Sequence, residues 1–287
     1  MLPIGYLGPI GTHTYEALQG FLDLNKQQAN PIAFDSVKSL FDALSLSKVS
    51  SIFIPSENSI GGEVVSSLDC LLDMDSKYSI QAEFSTKIEQ TLMVKDKTIS
   101  LDQITDIFAH EQSIHQSYNF LHEKCPNVRF HYCSSNAQAA EIVAKDEFEF
   151  VDSDKHFLAC IGSQSCVELY HLHALQYEIN DIASNSTRFL LISSGKTEVS
   201  KKDKTSLVFS TKQDKPGSLC EILLELSSKN VNMARIVSRP TKKRLGEYMF
   251  FIDIEGHLNN QLISDVLDSI KEKCLWLKVL GSYPRYN

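Results

Sequence analysis

The segment Asn185-Ser186-Thr187-Arg188-Phe189 combines an amide, hydroxyls and a cation directly before an apolar run. Arg188 is one of two arginines in the first 190 residues, the other being Arg129, so it stands out in an acidic region. A guanidinium in such surroundings is a candidate anchor for a ligand carboxylate. An ion pair at the end of a surface strand is the alternative role for this arginine.

Two further polar segments follow predicted strands. Residues 55–62 read Pro-Ser-Glu-Asn-Ser-Ile-Gly-Gly and place polar side chains at a strand's carboxyl end, where ligands collect in α/β folds. Residues 5–14 have the spacing G-x-x-G-x-x-G, which differs from the dinucleotide fingerprint G-x-G-x-x-G. They predict a turn that brings Thr12 and Thr14 to a helix start, where backbone amides favour a carboxylate. Each segment alone also suits a capped structural turn.

Residues 109–116 hold two histidines and two glutamines. His110 and His115 are five residues apart, whereas a helical zinc site needs histidines at i and i+4, so zinc is disfavoured. Gln112 and Gln116 do have the i, i+4 spacing. We expect them either to present two neutral amides to a ligand or to form a solvated face.

Short apolar runs alternate with amphipathic stretches over the first 190 residues and must position these segments. The alternation predicts an α/β sheet with helices on its faces and ligands bound in clefts. The predicted strands are residues 4–7, 51–54, 107–109, 129–132 and 158–161, and the predicted helices are residues 37–46, 64–74, 135–144 and 164–169.

A polar segment at residues 193–204 predicts a linker to a second domain. Strands are predicted beyond it at residues 207–210, 231–237, 248–254 and 275–280, with amphipathic helices around Leu223 and Val266. The order βαββαβ is that of a ferredoxin-like unit. The expected domains are residues 1–193, a linker at 194–204 and residues 205–287.

Composition narrows the class of ligand. The formal net charge of −8 opposes nucleic-acid binding, which requires clustered cations, so a small molecule is expected. The seven cysteines include no C-x-x-C pair, which disfavours a zinc ribbon or a disulfide framework. No apolar stretch approaches the roughly 20 residues of a membrane span, and the N-terminus does not resemble a signal peptide, so a cytoplasmic protein without membrane contacts is expected.

Taken in order, these segments resemble the prephenate dehydratase family, and the resemblance covers nearly the whole chain. The matching motifs are Tyr6-Leu7-Gly8-Pro9-x-Gly11-Thr12, Pro55-x-Glu57-Asn58-Ser59-x-x-Gly62, His110-x-Gln112 reaching Gln116, Ser135-x-Ala137-x-Ala139-Ala140, Asn185-x-Thr187-Arg188-Phe189, Lys215-Pro216-Gly217-Ser218-Leu219, Ser238-Arg239-Pro240 and residues 247–257.

The resemblance implies a catalytic region folded like a type II periplasmic binding protein, with two α/β subdomains around a cleft, and a ferredoxin-like ACT domain that binds L-phenylalanine as a feedback inhibitor. It implies conversion of prephenate to phenylpyruvate, without redox cofactor or metal. It also implies pairing of ACT sheets, as a homodimer or homotetramer.

The resemblance further assigns residues to roles. Catalysis falls to Thr187, Asn58 and Gln116. Substrate binding is expected at Ser59, Thr12 and Gln112, with Arg188 as our hypothesis for charge balance. Phenylalanine binding is expected at Gly217, Ser218, Leu219, Ser238, Arg239 and Pro240.

The chain departs from the family pattern at three places. Ala109 stands where the family has a serine before the His-x-Gln segment, and Val237 stands where it has a glutamate before Ser-Arg-Pro. The family's Gly-Ala-Leu-Val appears as Gly217-Ser218-Leu219-Cys220. Arogenate dehydratase shares these motifs and remains an alternative, as does a non-catalytic amino-acid sensor.

Overall fold

The computed structural model describes residues 2–148, 156–213, 215–241 and 247–286. Contacts divide the chain into a first unit, Met1–Ser67 with Ser85–Phe189, and a second unit, Leu68–Phe84 with Leu190–Asn287. No helix within the described ranges is long and apolar enough to cross a membrane. In chain order the elements are β1 (Leu2–Leu7), α1 (His13–Leu24), β2 (Ala29–Phe34), α2 (Val37–Ser45), β3 (Ser51–Asn58), β4 (Gly62–Glu63), α3 (Val65–Asp73), β5 (Tyr78–Lys87), β6 (Thr91–Val94), β7 (Asp106–Ala109), α4 (Glu111–Gln116), α5 (Tyr118–Lys124), β8 (Arg129–Tyr132), α6 (Asn136–Lys145), β9 (Leu158–Gly162), α7 (Ser165–Leu169), β10 (His173–Gln176), β11 (Ser186–Ser194), β12 (Asp203–Thr211), α8 (Ser218–Ser228), β13 (Met233–Pro240), β14 (Tyr248–Glu255), α9 (Gln261–Lys273) and β15 (Cys274–Tyr286).

One sheet of the first unit is built on β1, which pairs in parallel with β2 and with β3. α1 begins at His13 because the Thr12 side chain accepts a hydrogen bond from the Tyr15 amide. Its apolar face buries Leu18 and Phe21, at the spacing of one helical turn. The rings of Phe53 and Phe189 stack with their centroids 5.2 Å apart and hold the start of β11 against β3.

A second sheet of the first unit has the order β10-β6-β9-β7-β8, with β7 parallel to both neighbours. α6 is capped by Ser135 and buries Ala137, Ala139 and Ala140, whose small side chains allow close packing on the sheet. The strands predicted at residues 107–109, 129–132 and 158–161 all lie in this sheet.

The buried carboxylate of Asp106 in β7 gathers several donors. It lies 3.0 Å from Arg129 Nε, 2.8 Å from His131 Nε2 and 2.9 Å from His156 Nδ1. Burial alone would raise the pKa of Asp106, but these hydrogen bonds and one from Thr105 outweigh it and hold the pKa well below its usual range. Asp106 therefore remains ionised and ties β7 to β8.

The second unit has the strand order β13-β14-β12-β15, with antiparallel pairs. α8 and α9 bury Ile222, Leu226, Val266 and Ile270 against it. The predicted α/β fold class, including the βαββαβ order, is confirmed. The strand predicted from residue 231 begins instead at Met233, because the Val231 amide still closes the end of α8 by bonding to the Leu226 carbonyl.

Candidate active site

A cavity of about 380 Å³ opens in the first unit at the carboxyl ends of β1 and β3, where Leu7 and Asn58 lie. Three helices, α1, α4 and α6, begin at its wall, and their N-cap residues Thr12, His110 and Ser135 line it. The amino ends of helices carry partial positive charge. No lysine or arginine of the described residues lines the cavity. The helix ends contribute positive potential at its wall.

Thr187 and Asn58 meet in this cavity. Asn58 Nδ2 lies 2.9 Å from Thr187 Oγ1 and 2.8 Å from Asn185 Oδ1. Asn58 Oδ1 accepts from the backbone amides of Ile60 and Gly61 at 3.0 and 2.7 Å. Since a backbone N–H can only donate, the Asn58 amide has one possible orientation, and Thr187 Oγ1 is an acceptor from it. The Thr187 hydroxyl hydrogen has no acceptor among the described residues and is available to a ligand.

A line of side-chain amides continues from Asn58 across the cavity wall. Asn185 Nδ2 lies 3.2 Å from Gln116 Oε1, and Gln90 Nε2 lies 3.2 Å from the same oxygen. The Gln116 carbonyl therefore accepts twice. Neither hydrogen of the Gln116 amide has an acceptor within the described part of the chain, so both are available to a ligand.

The far end of this line is held by α1 and α6. Gln90 Oε1 lies 3.3 Å from His13 Nε2 and 3.4 Å from Asn136 Nδ2. Asn136 also donates to Ser113 Oγ at 2.7 Å. Sequence motifs did not single out Gln90, His13 or Ser113, and all line the cavity.

The structure brings together most of the residues expected at the substrate. Thr187, Asn58, Gln116, Gln112 and Thr12 all line the cavity. The Thr12 hydroxyl is engaged with the Leu7 and Pro9 carbonyls at 3.2 and 2.9 Å and accepts from the Tyr15 amide. Thr12 thus shapes the turn before α1.

Two expected substrate residues lie outside the cavity lining. Ser59 Oγ accepts from the Ser186 amide at 3.0 Å, so it joins the end of β3 to the start of β11. Arg188 is buried, with Nη1 3.7 Å from Glu57 Oε2. Successive side chains of a strand point to opposite faces of the sheet, and Thr187 faces the cavity. The position of Arg188 therefore does not support the expected direct contact with a ligand carboxylate.

Cys166 stabilises the turn before α1, because its thiol donates a hydrogen bond to the Gly11 carbonyl at 3.1 Å. Burial raises the pKa of Cys166 to about 11. Gly11 has φ +85°, and an added Cβ would lie 3.1 Å from Tyr170 Cε2 and 3.2 Å from Cys166 Sγ. The position therefore requires glycine for both conformation and space.

The second unit has its own cavity, of about 620 Å³, lined by Gly217, Ser218 and Leu219. Ser238, Arg239 and Pro240 do not line it, although all six residues were expected to bind one ligand. These last three residues lie on β13, where Arg239 Nη2 donates a hydrogen bond to Asp69 Oδ1 at 2.9 Å.

The two histidines of residues 109–116 are used locally. His110 is the N-cap of α4, and its Nδ1 accepts a hydrogen bond from the Gln112 backbone amide at 3.2 Å. His115 Nε2 lies 3.8 Å from Glu111 Oε1. No cluster of metal-ligating side chains occurs in the described ranges. Ala109 is buried in β7, and Ser113 is the hydroxyl that this segment contributes to the cavity.

Comparison with known proteins identifies the family. The prephenate dehydratase family profile matches residues 4–197, which include every residue of the first cavity, and the ACT domain profile matches residues 205–272. The chain belongs to the prephenate dehydratase family. It is 33% identical over 284 residues to a prephenate dehydratase of Methanocaldococcus jannaschii, covering 98% of each chain.

Two further relatives extend the comparison. A bifunctional chorismate mutase/prephenate dehydratase of Stutzerimonas stutzeri is 37% identical over 99% of this chain, which spans 73% of that protein. The crystal structure of an Arthrobacter aurescens prephenate dehydratase in complex with L-Phe superposes with a TM-score of 0.86 at 29% identity, covering 99% of this chain and 90% of that one. The prephenate dehydratase fold thus extends over both units.

Proposed function

We propose that the chain is a prephenate dehydratase, a carbon–oxygen lyase of L-phenylalanine biosynthesis that converts prephenate to phenylpyruvate, carbon dioxide and water. The observation that carries the proposal is the 2.9 Å hydrogen bond that Asn58 donates to Thr187 Oγ1. It leaves the threonine hydrogen available in a cavity whose donors suit a dianion. Membership of the family supports the same reaction.

The chemistry requires a proton for a departing hydroxyl group. Thr187 donates its hydroxyl hydrogen to the oxygen of the hydroxyl group on the prephenate ring as the C–O bond breaks, and water leaves. The bond from the ring to its carboxylate breaks in the same process, its electron pair completes the aromatic ring, and carbon dioxide is released. Thr187 then regains a proton from water. A threonine is a weak acid, so positioning and electrostatics provide much of the rate enhancement.

The other side chains bind and orient the substrate. Asn58 directs the Thr187 hydroxyl, and Gln116 offers both amide hydrogens to a carboxylate of prephenate. Gln112 and the amino ends of α1 and α6 add donors at the cavity wall. Ser59 and Arg188 lie outside the cavity lining, and their contacts with Ser186 and Glu57 hold β3 and β11 together.

We place regulation in the part of the second unit that follows residue 204. We assign residues 1–193 to the catalytic domain, 194–204 to the linker and 205–287 to the ACT domain. Phenylalanine binds at the loop of Gly217, Ser218 and Leu219 and inhibits the reaction. The edge strand β13 has no partner on one side among the described residues and exposes Ile236 at 39%, which supports a homo-oligomer assembled on this edge.

The cytoplasm is the compartment that we propose for the enzyme. Cys166 is used as a thiol hydrogen-bond donor beside the cavity, and such a thiol persists in a reducing compartment.

Incubation with prephenate, with and without phenylalanine, tests the proposal. Phenylpyruvate should form, and phenylalanine should slow its formation. The ratio of kcat/KM on prephenate and arogenate should favour prephenate. A protein that binds phenylalanine but releases no phenylpyruvate would instead be an amino-acid sensor.

A further inference from the structure

Gln90 is a buried amide in the wall of the cavity, 2% exposed, and has no role in the reaction as described above. It lies just before β6, and its backbone amide bonds to Asn180 Oδ1 at 2.7 Å. Its side chain contacts residues of three other segments, His13, Gln116 and Asn136. Which of its two ends faces Gln116 decides what Gln116 can offer to a substrate.

One anchor for this orientation lies at Gly61. The Gly61 amide donates to Asn58 Oδ1, so Asn58 Nδ2 must donate to Asn185 Oδ1. Asn185 Nδ2 must then donate to Gln116 Oε1. Since Gln116 turns its oxygen towards this side, the neighbouring atom of Gln90 has to be its nitrogen.

A second anchor lies at His110 and is independent of the first. The His110 amide donates to Asn136 Oδ1 at 2.9 Å, so the nitrogen of Asn136 faces Gln90 and donates to its oxygen. Both anchors give the same orientation of Gln90. His13 must therefore carry a hydrogen on Nε2 to donate to Gln90 Oε1. His13 Nδ1 lies 3.6 Å from Glu16 Oε2.

We infer that Gln90 is a positioning residue, which acts through Gln116 and rests on the proposed function. Its donated hydrogen bond holds the Gln116 carbonyl away from the substrate and keeps both Gln116 amide hydrogens facing the cavity. His13 and Asn136 hold Gln90 in turn, by occupying its oxygen. Reversal of the Gln116 amide would present an oxygen to an anionic substrate, so this constraint selects for carboxylate binding.

Two substitutions separate the donor role of Gln90 from its acceptor role. Gln90→Met keeps the approximate volume and removes both polar ends. Gln90→Glu keeps the acceptor for His13 and Asn136 but brings an oxygen against Gln116 Oε1. Each should lower kcat/KM on prephenate about tenfold or more, in line with a lost hydrogen bond to a charged ligand. Near-normal kcat/KM in Gln90→Glu would overturn the inference, because the acceptor alone would then suffice.

A double-mutant cycle tests whether Gln90 acts through Gln116. In a Gln116→Ala background, Gln90→Met should lower kcat/KM further by only about threefold or less, since coupled residues are not additive. Losses that multiply fully would assign Gln90 a separate structural role. Gln81→Met is the matched control, since Gln81 bonds to Ser79 and Gly195 in the second unit, and it should leave kcat/KM unchanged.

A readout without turnover separates this inference from the proposed function. The ¹⁵N order parameter of the Gln116 side-chain amide should fall in both Gln90 variants and stay unchanged in Gln81→Met. An unchanged order parameter in the Gln90 variants would overturn the positioning role whether or not the wild-type protein forms phenylpyruvate. Absence of phenylpyruvate from the wild type, with the order parameter falling as expected, would count against the proposed function alone.

Discussion

A hydroxyl group can protonate a leaving group only when its hydrogen is not already committed to a protein acceptor. Asn58 arranges this for Thr187 by donating to the threonine oxygen, and backbone amides fix the Asn58 orientation. The arrangement orients a weak acid towards the cavity. In the proposed reaction, the rate therefore depends on the geometry of a few hydrogen bonds.

Removal of the Thr187 hydroxyl should be the most damaging single change in the cavity. Thr187→Ala should lower kcat about a hundredfold or more, on the scale of general acid catalysis, while the unfolding temperature stays close to the wild-type value. Thr187→Ser keeps the hydroxyl and should recover part of this loss. Normal turnover by the alanine variant in a phenylpyruvate assay would remove Thr187 from the mechanism.

Asn58→Asp removes the hydrogen bonds that Asn58 Nδ2 donates to Thr187 and Asn185, at almost constant shape. A carboxylate still accepts from the Ile60 and Gly61 amides, but it cannot donate to Thr187. The Thr187 hydroxyl would donate to it instead, and its hydrogen would be withdrawn from the substrate. We expect kcat to fall about a hundredfold. Steady-state kinetics that showed a change in KM alone would indicate a binding role for Asn58.

Sequence patterns predicted part of this site. Thr187, Asn58 and Gln116 were predicted from short motifs, and the structure places them in one cavity. Gln90 belongs to no motif, and its partner His13 is 77 residues away along the chain. Its surroundings exist only after folding, so local spacing could not reveal it.

At the level of elements, a glycine in β15 allows two strands of the second unit to pack closely. Gly281 has φ +156° and lies at a register shift between β12 and β15. A Cβ there would lie 2.5 Å from the Ile80 carbonyl oxygen and 2.8 Å from the Ile80 amide nitrogen in β5. A side chain at this position would force β15 and β5 apart.

Gly281→Ala should lower the free energy of unfolding by about 2 kcal/mol or more, from backbone strain and contact with main-chain atoms. Gly195→Ala is the matched control, because Gly195 has φ +112° but open space around its Cα. It should cost about 1 kcal/mol from strain alone. Equal losses for the two variants in urea unfolding would show that crowding at Ile80 contributes nothing.

Elements with strong periodicity were predictable, and polar ones were not. The helices of the second unit follow i, i+3, i+4 apolar spacing, and α8 and α9 contain the residues around which they were predicted. β2 contains Asn30 and Pro31, and β5 carries Gln81 and Glu83, so neither shows an apolar run. Their strand conformation comes from pairing with β1 and β15.

For the whole molecule, Asp106 should contribute to stability at neutral pH and lose that contribution in acid. Its folded-state pKa lies below the unfolded value of about 3.9, so the stabilisation is complete above the unfolded pKa and declines as the pH falls through the folded one. Asp106→Asn should cost about 2 kcal/mol at pH 7, because Arg129, His131 and His156 lose hydrogen bonds to a buried carboxylate.

Urea unfolding of wild type and Asp106→Asn from pH 7 to acid provides the measurement. The difference in unfolding free energy should narrow as the pH falls below about 4. A constant difference would mean that packing, rather than charge, explains the effect of the substitution. Lys38→Met, at an exposed ion pair with Asp42, is a control that should change stability little at any pH.

The line of amides from Asn58 to Gln90 affects how protons can be transferred to and from Thr187. A chain of water molecules or hydroxyl groups can pass a proton along by exchanging donors and acceptors, but a side-chain amide keeps its hydrogens on nitrogen. These residues therefore insulate Thr187 from His13, although hydrogen bonds connect the two without a gap. In the proposed reaction, the proton that restores Thr187 therefore comes from water in the cavity and not along these amides.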